Sequence, residues 1–370
     1  VSEYPYKTVL KSKTSESICT DLKKLGYSTH AVHNNEATFY GRNTVFSNIG
    51  FDTFCSMEYM NGLTDSPNGW SNDDVLSREI MKTLDSTSGP DFTMAITVQS
   101  HGKYDGIALD DPTIKVTGAP ERKEQAYEYY VNEIHEVDRM IDTLIKELSN
   151  RKEETVLVLY GDHLPSLDIQ KDDLSNANLY QTQYVVWDNM NLKKKTKNLH
   201  AYQLYAEVLD RIQIHEGMIT KYHQQTKHRS KLYLTGLTTL SYDLLYGDNY
   251  AYDGENPFKQ TELQMGTEPV KLTSVQKTKS GYRVVGSGFT PYCKVYYDGT
   301  LVESEWISSG CLQLQDEFEL DEADKKDSGE PETEVTEPRD VPNAFVVEVQ
   351  SDDGVVLSST QAYPASQVKK

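Results

Sequence analysis

Apolar strand patterns alternate with helical patterns over residues 1–255, and this alternation is the feature that most limits the possible folds. In TSESICTDLKKLGYSTHAVHNN, Ser15 or Ser17 can cap a helix that precedes the strand STHAV. A second strand pattern, in PDFTMAITVQSHG, is separated from a third, in ETVLVLYGDH, by a helix with an apolar stripe from Ala126 to Leu148. Strands alternating with helices are typical of an α/β fold, so we predict a mostly parallel sheet flanked by helices.

Each of these three strand patterns ends within a few residues of a histidine, namely His33, His101 or His163, and Asp162 directly precedes the last. A single histidine in such a place is usually structural. Ligands of open α/β sheets bind beyond the carboxyl ends of the strands, so three such histidines indicate one shared site. A carboxylate and an imidazole suit Mn²⁺ or Zn²⁺ and tolerate Mg²⁺. We therefore predict Asp162 and His163 as metal ligands.

Two side chains shortly after His33 suit an anionic or polyol ligand. Arg42, in TFYGRN, has a forked donor group that matches phosphate or sulfate, although a surface ion pair explains an isolated arginine equally well. Tyr40 can stack on a sugar or polyol. His33 and His101 can hold or protonate anionic oxygens. Together with the predicted metal ion, these residues indicate a site for a phosphate or sulfate ester.

The blocks AVHNNEATFYGRNTVFSNIGFDTF, ITVQSHGKYD and LYGDHLPSL resemble the lipoteichoic acid synthase and phosphoglycerol transferase group, over about residues 5–250. This group is a sulfatase-like branch of the alkaline phosphatase superfamily. The resemblance implies an α/β domain on the extracellular face of the bacterial cell membrane, with Mn²⁺ or Mg²⁺ and a nucleophilic threonine that takes phosphoglycerol from a phospholipid head group. It implies metal ligation by Asp162 and His163. The implied contacts of the phosphoglycerol group are His33, Tyr40, Arg42 and His101, with Tyr40 standing where the family commonly has tryptophan.

One part of the family pattern is missing from the sequence. In the family, the nucleophile and an acidic metal ligand precede the block that contains His33, whereas EYPYKTVLKSKTSESICTDLKK resembles the segment that follows the nucleophile. We interpret Thr8, Thr14 and Ser15 as loop and capping residues. The expectation is a catalytic domain without its nucleophile, inactive by itself, whose N-terminal membrane anchor lies outside the chain.

Residues 269–370 have short strand patterns broken by SG, TP, DG and SSG, which is typical of a small all-β sandwich. The stretch VVGSGFTPYCKVYYDG resembles the TIG-type immunoglobulin-like domain. We predict a linker at 256–268 and an acidic, solvated loop at 316–340. An extracellular setting would permit a disulfide between Cys293 and Cys311, and the sequence leaves that pairing open.

Charge and hydropathy exclude some classes of function. A net charge of −20 argues against a nucleic-acid partner, which requires a basic face. No apolar run approaches the roughly 20 residues of a membrane-spanning helix. A sulfatase or phosphoethanolamine transferase on the same fold stays open, although no cysteine begins the C-x-P-x-R-type motif of sulfatases. A non-catalytic surface-binding protein is the other alternative.

Overall fold

The computed structural model describes residues 4–119, 121–228, 230–315, 318–320 and 337–369. The helices are α1 (Ile18–Lys23), α2 (Arg42–Asn48), α3 (Val75–Leu84), α4 (Glu121–Asn150), α5 (Leu204–Arg211), α6 (Met218–Gln225) and α7 (Lys231–Leu245). The strands are β1 (Ser28–His33), β2 (Thr53–Cys55), β3 (Asp91–Ile96), β4 (Val156–Tyr160), β5 (Tyr184–Asp188), β6 (Gln264–Met265), β7 (Lys271–Thr278), β8 (Gly281–Ser287), β9 (Cys293–Tyr297), β10 (Thr300–Val302), β11 (Ser304–Ser308), β12 (Cys311–Leu314), β13 (Ala344–Gln350), β14 (Val356–Ser359) and β15 (Tyr363–Pro364).

The chain forms two compact units, each assembled from separate stretches of sequence. Unit 1 comprises Val1–Gly62, Thr83–Met94 and Lys231–Lys370. Unit 2 comprises Leu63–Lys82 and Ala95–Ser230.

A sheet with the strand order β3-β1-β2-β6 is the centre of the α/β part of unit 1. Strands β1 and β2 are parallel, and so are β2 and β6. Ser17 caps α1, because its side chain accepts hydrogen bonds from the backbone N–H groups of Cys19 and Thr20. Phe46 of α2 packs edge-to-face on Phe54 of β2, with the ring centroids 4.8 Å apart. The predicted α/β class, with a parallel sheet and flanking helices, is confirmed.

Two antiparallel sheets follow in unit 1. One has the order β10-β9-β13-β14, with β15 also pairing with β13, and the other has the order β11-β12-β8-β7. Their buried side chains include Val275, Tyr282, Val284, Val295, Leu312 and Phe345. The predicted all-β portion is therefore confirmed, whereas its immunoglobulin-like character stays a prediction.

The segment 256–268, predicted as a linker, contains β6 of the parallel sheet. Beyond it, the Thr290 hydroxyl donates to the Glu58 carbonyl at 2.6 Å, and the Tyr59 hydroxyl donates to Ser358 Oγ at 2.7 Å. These contacts join the antiparallel sheets to the loop that follows β2. The division of the chain into domains at 1–255 and 269–370 stays a prediction.

Most of the predicted acidic loop 316–340 lies outside the described residues. In its described part, the ring of Phe318 lies 5.5 Å from the rings of both Tyr282 and Tyr297, and Leu320 is buried. Phe318 and Leu320 are therefore packed against the all-β core, whereas Glu319 between them is exposed.

All four cysteines lie in the described part of the chain and are free thiols, so the structure does not contain the Cys293–Cys311 disulfide. Cys293 is buried, and burial raises the pKa of its thiol.

In unit 2, the long helix α4 packs Ala126 and Tyr129 against Tyr104 and Leu167. Side chains of the predicted apolar stripe are buried near both ends of the helix, but Ile134 in the stripe is 40% exposed. Among the helices of the described residues, none combines the length and the apolar character that crossing a lipid bilayer requires.

The pairing of β4 differs from the sequence-based expectation. We expected the strand before Asp162 and His163 to be parallel and to share a sheet with the strand before His33. In the described residues, β4 instead pairs with β5, antiparallel, in a separate two-stranded sheet. An apolar run of five residues indicates a strand but contains nothing that selects its partner, which explains the error.

Candidate functional site

Asp162, His163 and His101 are brought together in unit 2. The aromatic rings of His101 and His163 lie 5.9 Å apart, edge to face. The Asp162 carboxylate lies 3.6 Å from Nε2 of His163, and its other oxygen accepts the His163 backbone N–H at 2.9 Å. The side chains of Asp162 and His163 are 80% and 58% exposed, so a ligand can reach them.

Hydrogen bonds to carbonyl groups orient both imidazole rings. Nδ1 of His101 lies 2.9 Å from the Gly102 carbonyl oxygen, and Nδ1 of His163 lies 2.8 Å from that of Leu164. A carbonyl oxygen only accepts, so each Nδ1 carries a proton. Each Nε2 of a neutral ring then keeps its lone pair for a metal ion or another acid.

The loop before His101 is fixed by Asp73, which is fully buried just ahead of α3. One carboxylate oxygen of Asp73 accepts the backbone N–H groups of Val98 at 2.9 Å and Gln99 at 3.3 Å. The Asp73 N–H in turn donates to the Gln99 side-chain oxygen at 2.8 Å. These bonds hold the chain that leads from β3 to His101.

Two further side chains hold the His101 loop from the same stretch of sequence. Asn68 donates to the carbonyl of His101 at 3.1 Å, and the Trp70 indole N–H donates to the carbonyl of Gly102 at 3.1 Å. The ring of Trp70 also lies edge to face on His101, with the centroids 5.2 Å apart. Sequence reasoning missed Asn68, Trp70 and Asp73, because the segment LTDSPNGWSNDD has only the composition of a turn.

The donor chemistry of Asp162 and His163 fits a divalent metal ion. Bond lengths of about 2.1 Å to nitrogen and oxygen let one ion contact two donors that are up to about 4 Å apart. The described residues contain no group of three or more His, Cys, Asp or Glu side chains arranged to hold a metal. The predicted pair therefore supplies two donors of the right kind, and its role as metal ligand stays a prediction.

In unit 1, Arg42 lies at the start of α2, a short distance along the chain from His33, which is buried at the end of β1. The surface ion pair considered for Arg42 is wrong, because the residue is only 8% exposed. Its Nη1 donates to the Phe39 carbonyl at 3.4 Å, and its buried Nε has no hydrogen-bond partner in the described structure. Burial lowers the pKa of Arg42, and the neighbouring Tyr6 opposes this change.

The Arg42 side chain lies among aromatic rings. Its guanidinium carbon is 5.2 Å from the ring centre of Phe39 and 5.5 Å from that of Tyr40. Burial raises the pKa of Tyr6 to about 12, so the Tyr6 hydroxyl is neutral when it accepts a hydrogen bond from Arg42. A charged donor with an unused N–H, held by neutral groups, is suited to an anion.

Tyr40 has the backbone conformation of a strained residue, with φ 60°. Non-glycine residues seldom adopt a positive φ, and such strain often occurs at functional sites. The ring is 44% exposed and lies 3.9 Å from the ammonium group of Lys7. An exposed aromatic face beside cationic groups is compatible with the predicted contact to a polyol.

The hydroxyl groups near the start of the chain have structural partners. The Thr8 hydroxyl donates to the Tyr4 carbonyl at 3.1 Å, and the Thr14 hydroxyl donates to the Phe258 carbonyl at 2.9 Å. Ser17 caps α1. These bonds agree with the interpretation of this segment as loop and cap.

Comparison with known proteins identifies the family of this chain. The chain belongs to the sulfatase family, whose sequence profile matches residues 1–214. This confirms the predicted alkaline phosphatase-like group, whereas the TIG-type assignment of the C-terminal part stays a prediction.

Sequence identity to individual curated proteins is low. The chain is 30% identical over 209 residues to the putative cyclic beta-1,2-glucan modification protein of Rhizobium meliloti (strain 1021), covering 52% of this chain and 32% of that protein. It is 23% identical over 197 residues to lipoteichoic acid synthase 2 of Bacillus subtilis (strain 168), covering 52% of this chain and 30% of that protein. The chain thus spans about a third of the length of these curated relatives.

A solved structure supports the fold. The Streptococcus pyogenes phosphoglycerol transferase GacH, in complex with sn-glycerol-1-phosphate, is similar with a TM-score of 0.50 at 20% identity. The similarity covers 64% of this chain and 66% of that chain. At this identity the similarity shows that the two chains share a fold.

Proposed function

We propose that the chain is the catalytic part of a phosphoglycerol transferase of the lipoteichoic acid synthase type, which acts on glycerophosphate esters with the help of Mn²⁺ or Mg²⁺. The observation that carries the proposal is the orientation of His101 and His163, whose Nδ1 atoms are held by carbonyl groups while Asp162 lies 3.6 Å from Nε2 of His163. Two similar proteins support the substrate class, since one is named a lipoteichoic acid synthase and the other is a phosphoglycerol transferase bound to sn-glycerol-1-phosphate.

The chemistry assigns a role to each residue of the proposal. Asp162 and His163 hold the metal ion, which supplies Lewis-acid polarisation of a phosphoryl oxygen when it is bound. In its doubly protonated form, His101 donates the Nε2 N–H to an anionic oxygen. Arg42 neutralises and orients the phosphate, and His33, nine residues earlier in the chain, contacts the same phosphoglycerol group. The exposed ring of Tyr40 contacts the glycerol. The substrate is then a phospholipid head group, and the enzyme acts on the extracellular face of the bacterial cell membrane through an N-terminal anchor.

We further propose that the nucleophilic hydroxyl of this reaction is none of Thr8, Thr14, Ser15 and Ser17. The bonded hydroxyls of this set donate to carbonyl groups or cap a helix. A nucleophile in a metal-assisted transfer needs direct metal contact or an adjacent base. We also propose that the chain by itself is inactive in transfer.

Metal binding by the chain tests the proposal directly. We expect Mn²⁺, followed by electron paramagnetic resonance of the free ion, to bind the unaltered chain and to lose at least a factor of 10 in affinity in Asp162→Asn. Asp172→Asn is the matched control, because Asp172 is an exposed carboxylate in the same loop region. Equal Mn²⁺ affinity in the two variants would refute the assignment of the metal site.

Protection from thermal unfolding by two different ligands distinguishes the proposed transferase from a sulfatase, and Arg42 is the residue tested. The proposal predicts that sn-glycerol-1-phosphate protects the chain from thermal unfolding more than inorganic sulfate does at the same concentration, and that Arg42→Gln removes this protection. Stronger protection by sulfate would favour a sulfatase. Protection that survives Arg42→Gln would show that this arginine does not hold the phosphate.

A further inference from the structure

A cavity opens in unit 1 where β1, β2 and β6 begin, at the end of the parallel sheet opposite to His33. Its volume is about 320 Å³, at the small end of the range for ligand sites. Its lining includes His30, Thr53, Ser86, Thr87 and Glu268. The site described above uses none of these residues.

The strand order brings a carboxylate, an imidazole and a hydroxyl into line beside this cavity. Strand β1 lies between β3 and β2, and His30 of β1 is directly paired with Thr53 of β2. Nε2 of His30 lies 3.1 Å from the carboxylate of Asp91, the first residue of β3, and Nδ1 lies 2.8 Å from the Thr53 hydroxyl. Asp91, His30 and Thr53 thus come from three adjacent strands of the sheet.

The hydrogen-bond partners determine which atom carries each proton. The Asp91 carboxylate accepts from the Thr87 hydroxyl and can only accept from His30, so Nε2 of His30 carries the proton. Nδ1 of the neutral ring is then an acceptor, and the Thr53 hydroxyl donates to it. This is the proton arrangement of a hydroxyl nucleophile, its base and an orienting carboxylate.

Burial separates the roles of the three residues. His30 is only 1% exposed and is held from both sides, so the imidazole has one orientation. Thr53 is partly exposed and lines the cavity, so a small molecule can reach its hydroxyl. The other charged groups of the lining, Asp52 and Glu268, are carboxylates, and Lys23 pairs with Asp52 at 2.5 Å. The cavity therefore disfavours anionic molecules such as glycerophosphate.

We propose that Thr53, with His30 as its base and Asp91 as the group that positions His30, is a reactive nucleophile that accepts the acyl group of small uncharged or cationic esters. The Thr53 oxygen forms a bond to the ester carbonyl carbon while its proton moves to Nδ1 of His30. The bond from this carbon to the alcohol oxygen then breaks, and the leaving alkoxide takes the proton from Nδ1. The products are an acyl ester of Thr53 and a free alcohol.

The test uses p-nitrophenyl acetate as the acyl donor and the whole chain as the protein, in the presence of EDTA. Peptide mass spectrometry locates the acetyl group, and released nitrophenol gives the rate. We expect one acetyl group on Thr53, none at this position in Thr53→Val, and a rate about 10²-fold lower in His30→Gln, as loss of a general base implies. EDTA removes the metal ion of the proposed transferase site, so a failure of that proposal does not affect the result.

Ser86→Ala is the matched control, because Ser86 lines the same cavity but donates to the carbonyl of Thr83 at 2.6 Å instead of an imidazole. Its acetylation rate should equal that of the unaltered chain. Thr53→Ser keeps the hydroxyl and should keep the acetylation, which makes the test independent of how well His30→Gln folds. An unmodified Thr53, acetylation that moves to Ser86, or equal rates for Thr53→Ser and Thr53→Val would overturn the proposal.

Discussion

Replacing Asp73 by alanine should destabilise unit 2, because this residue holds the loop that ends at His101. The Asp73 carboxylate is fully buried and accepts two backbone N–H groups, at 2.9 Å from Val98 and at 3.3 Å from Gln99. The substitution removes the one oxygen that accepts both bonds and leaves two N–H donors without a partner, and Val98 and Gln99 are themselves buried from water.

The expected size follows from these two bonds. A buried donor that loses its partner costs about 1–3 kcal/mol, so two such donors cost about 2–6 kcal/mol. Domains are stable by only about 5–15 kcal/mol, so this loss is a large share of the free energy of unfolding. With a urea dependence of about 2 kcal/mol/M, the unfolding midpoint should fall by about 1–3 M. Asp73→Asn keeps an oxygen acceptor and should lose roughly half as much, because charge-assisted bonds are about twice as strong as neutral ones.

Tryptophan fluorescence during urea unfolding measures this effect in unit 2. The chain has three tryptophans, of which Trp70 and Trp187 lie in unit 2 and Trp306 in unit 1, so a Trp306→Phe background removes the signal of unit 1. Asp74→Ala is the control, since Asp74 is the exposed neighbour of Asp73. This variant should change the free energy of unfolding by less than about 0.5 kcal/mol. Equal shifts for the Asp73 and Asp74 variants would refute the reasoning.

Three further predictions each concern the substitution of one side chain. Ser17→Ala should lower the free energy of unfolding by about 0.5–2 kcal/mol, measured by urea unfolding, because the cap of α1 is lost; an unchanged midpoint would contradict this. Burial raises the pKa of Glu133, so its folded carboxyl group contributes stability at low pH that is lost as pH rises through its folded pKa. Glu133→Gln should therefore raise the melting temperature at neutral pH and leave it unchanged at pH 3, whereas a lower neutral-pH value would show that the charge is favourable. Burial is the larger of two causes that lower the pKa of His223 from 6.5 to about 4, and the nearby His228 is the smaller. Stability should therefore fall as the solution is acidified from about pH 6.5 towards 4. His223→Gln should flatten this dependence in a series of melting curves, and equal slopes in both proteins would exclude His223 as its source.

Local signals in the sequence were sufficient for α1 and for strands β1 and β3 of the parallel sheet, whereas β2 was not predicted and β6 lies in the segment predicted as a linker. Polar residues before α1 predicted a cap at Ser15 or Ser17, and Ser17 provides it. The strand STHAV became β1, and the apolar run before His101 became β3. Capping and short apolar runs depend on neighbouring residues, which is why a single sequence reveals them.

Long-range arrangement was harder to predict. Nothing in VLVLY distinguishes a strand of a parallel sheet from one that pairs antiparallel with β5, as β4 does. The buried Arg42 contacts Tyr6, which lies 36 residues earlier in the chain, and this contact is set by the fold rather than by a sequence pattern. Asp73 was overlooked for the same reason, since its partners lie 25 and 26 residues further along the chain.

The position of β6 in the parallel sheet has a consequence for the order of events during synthesis of the protein. The Ser47 hydroxyl bonds to the carbonyl of Thr261, 214 residues along the chain, and β6 then pairs with β2. A ribosome must therefore make all of unit 2 before the last strand of this sheet emerges. Until then β2 has an open edge that can pair with another nascent chain, and contacts of such long sequence separation form slowly. Expression yield should consequently depend on translation speed and on chaperones that cover this edge.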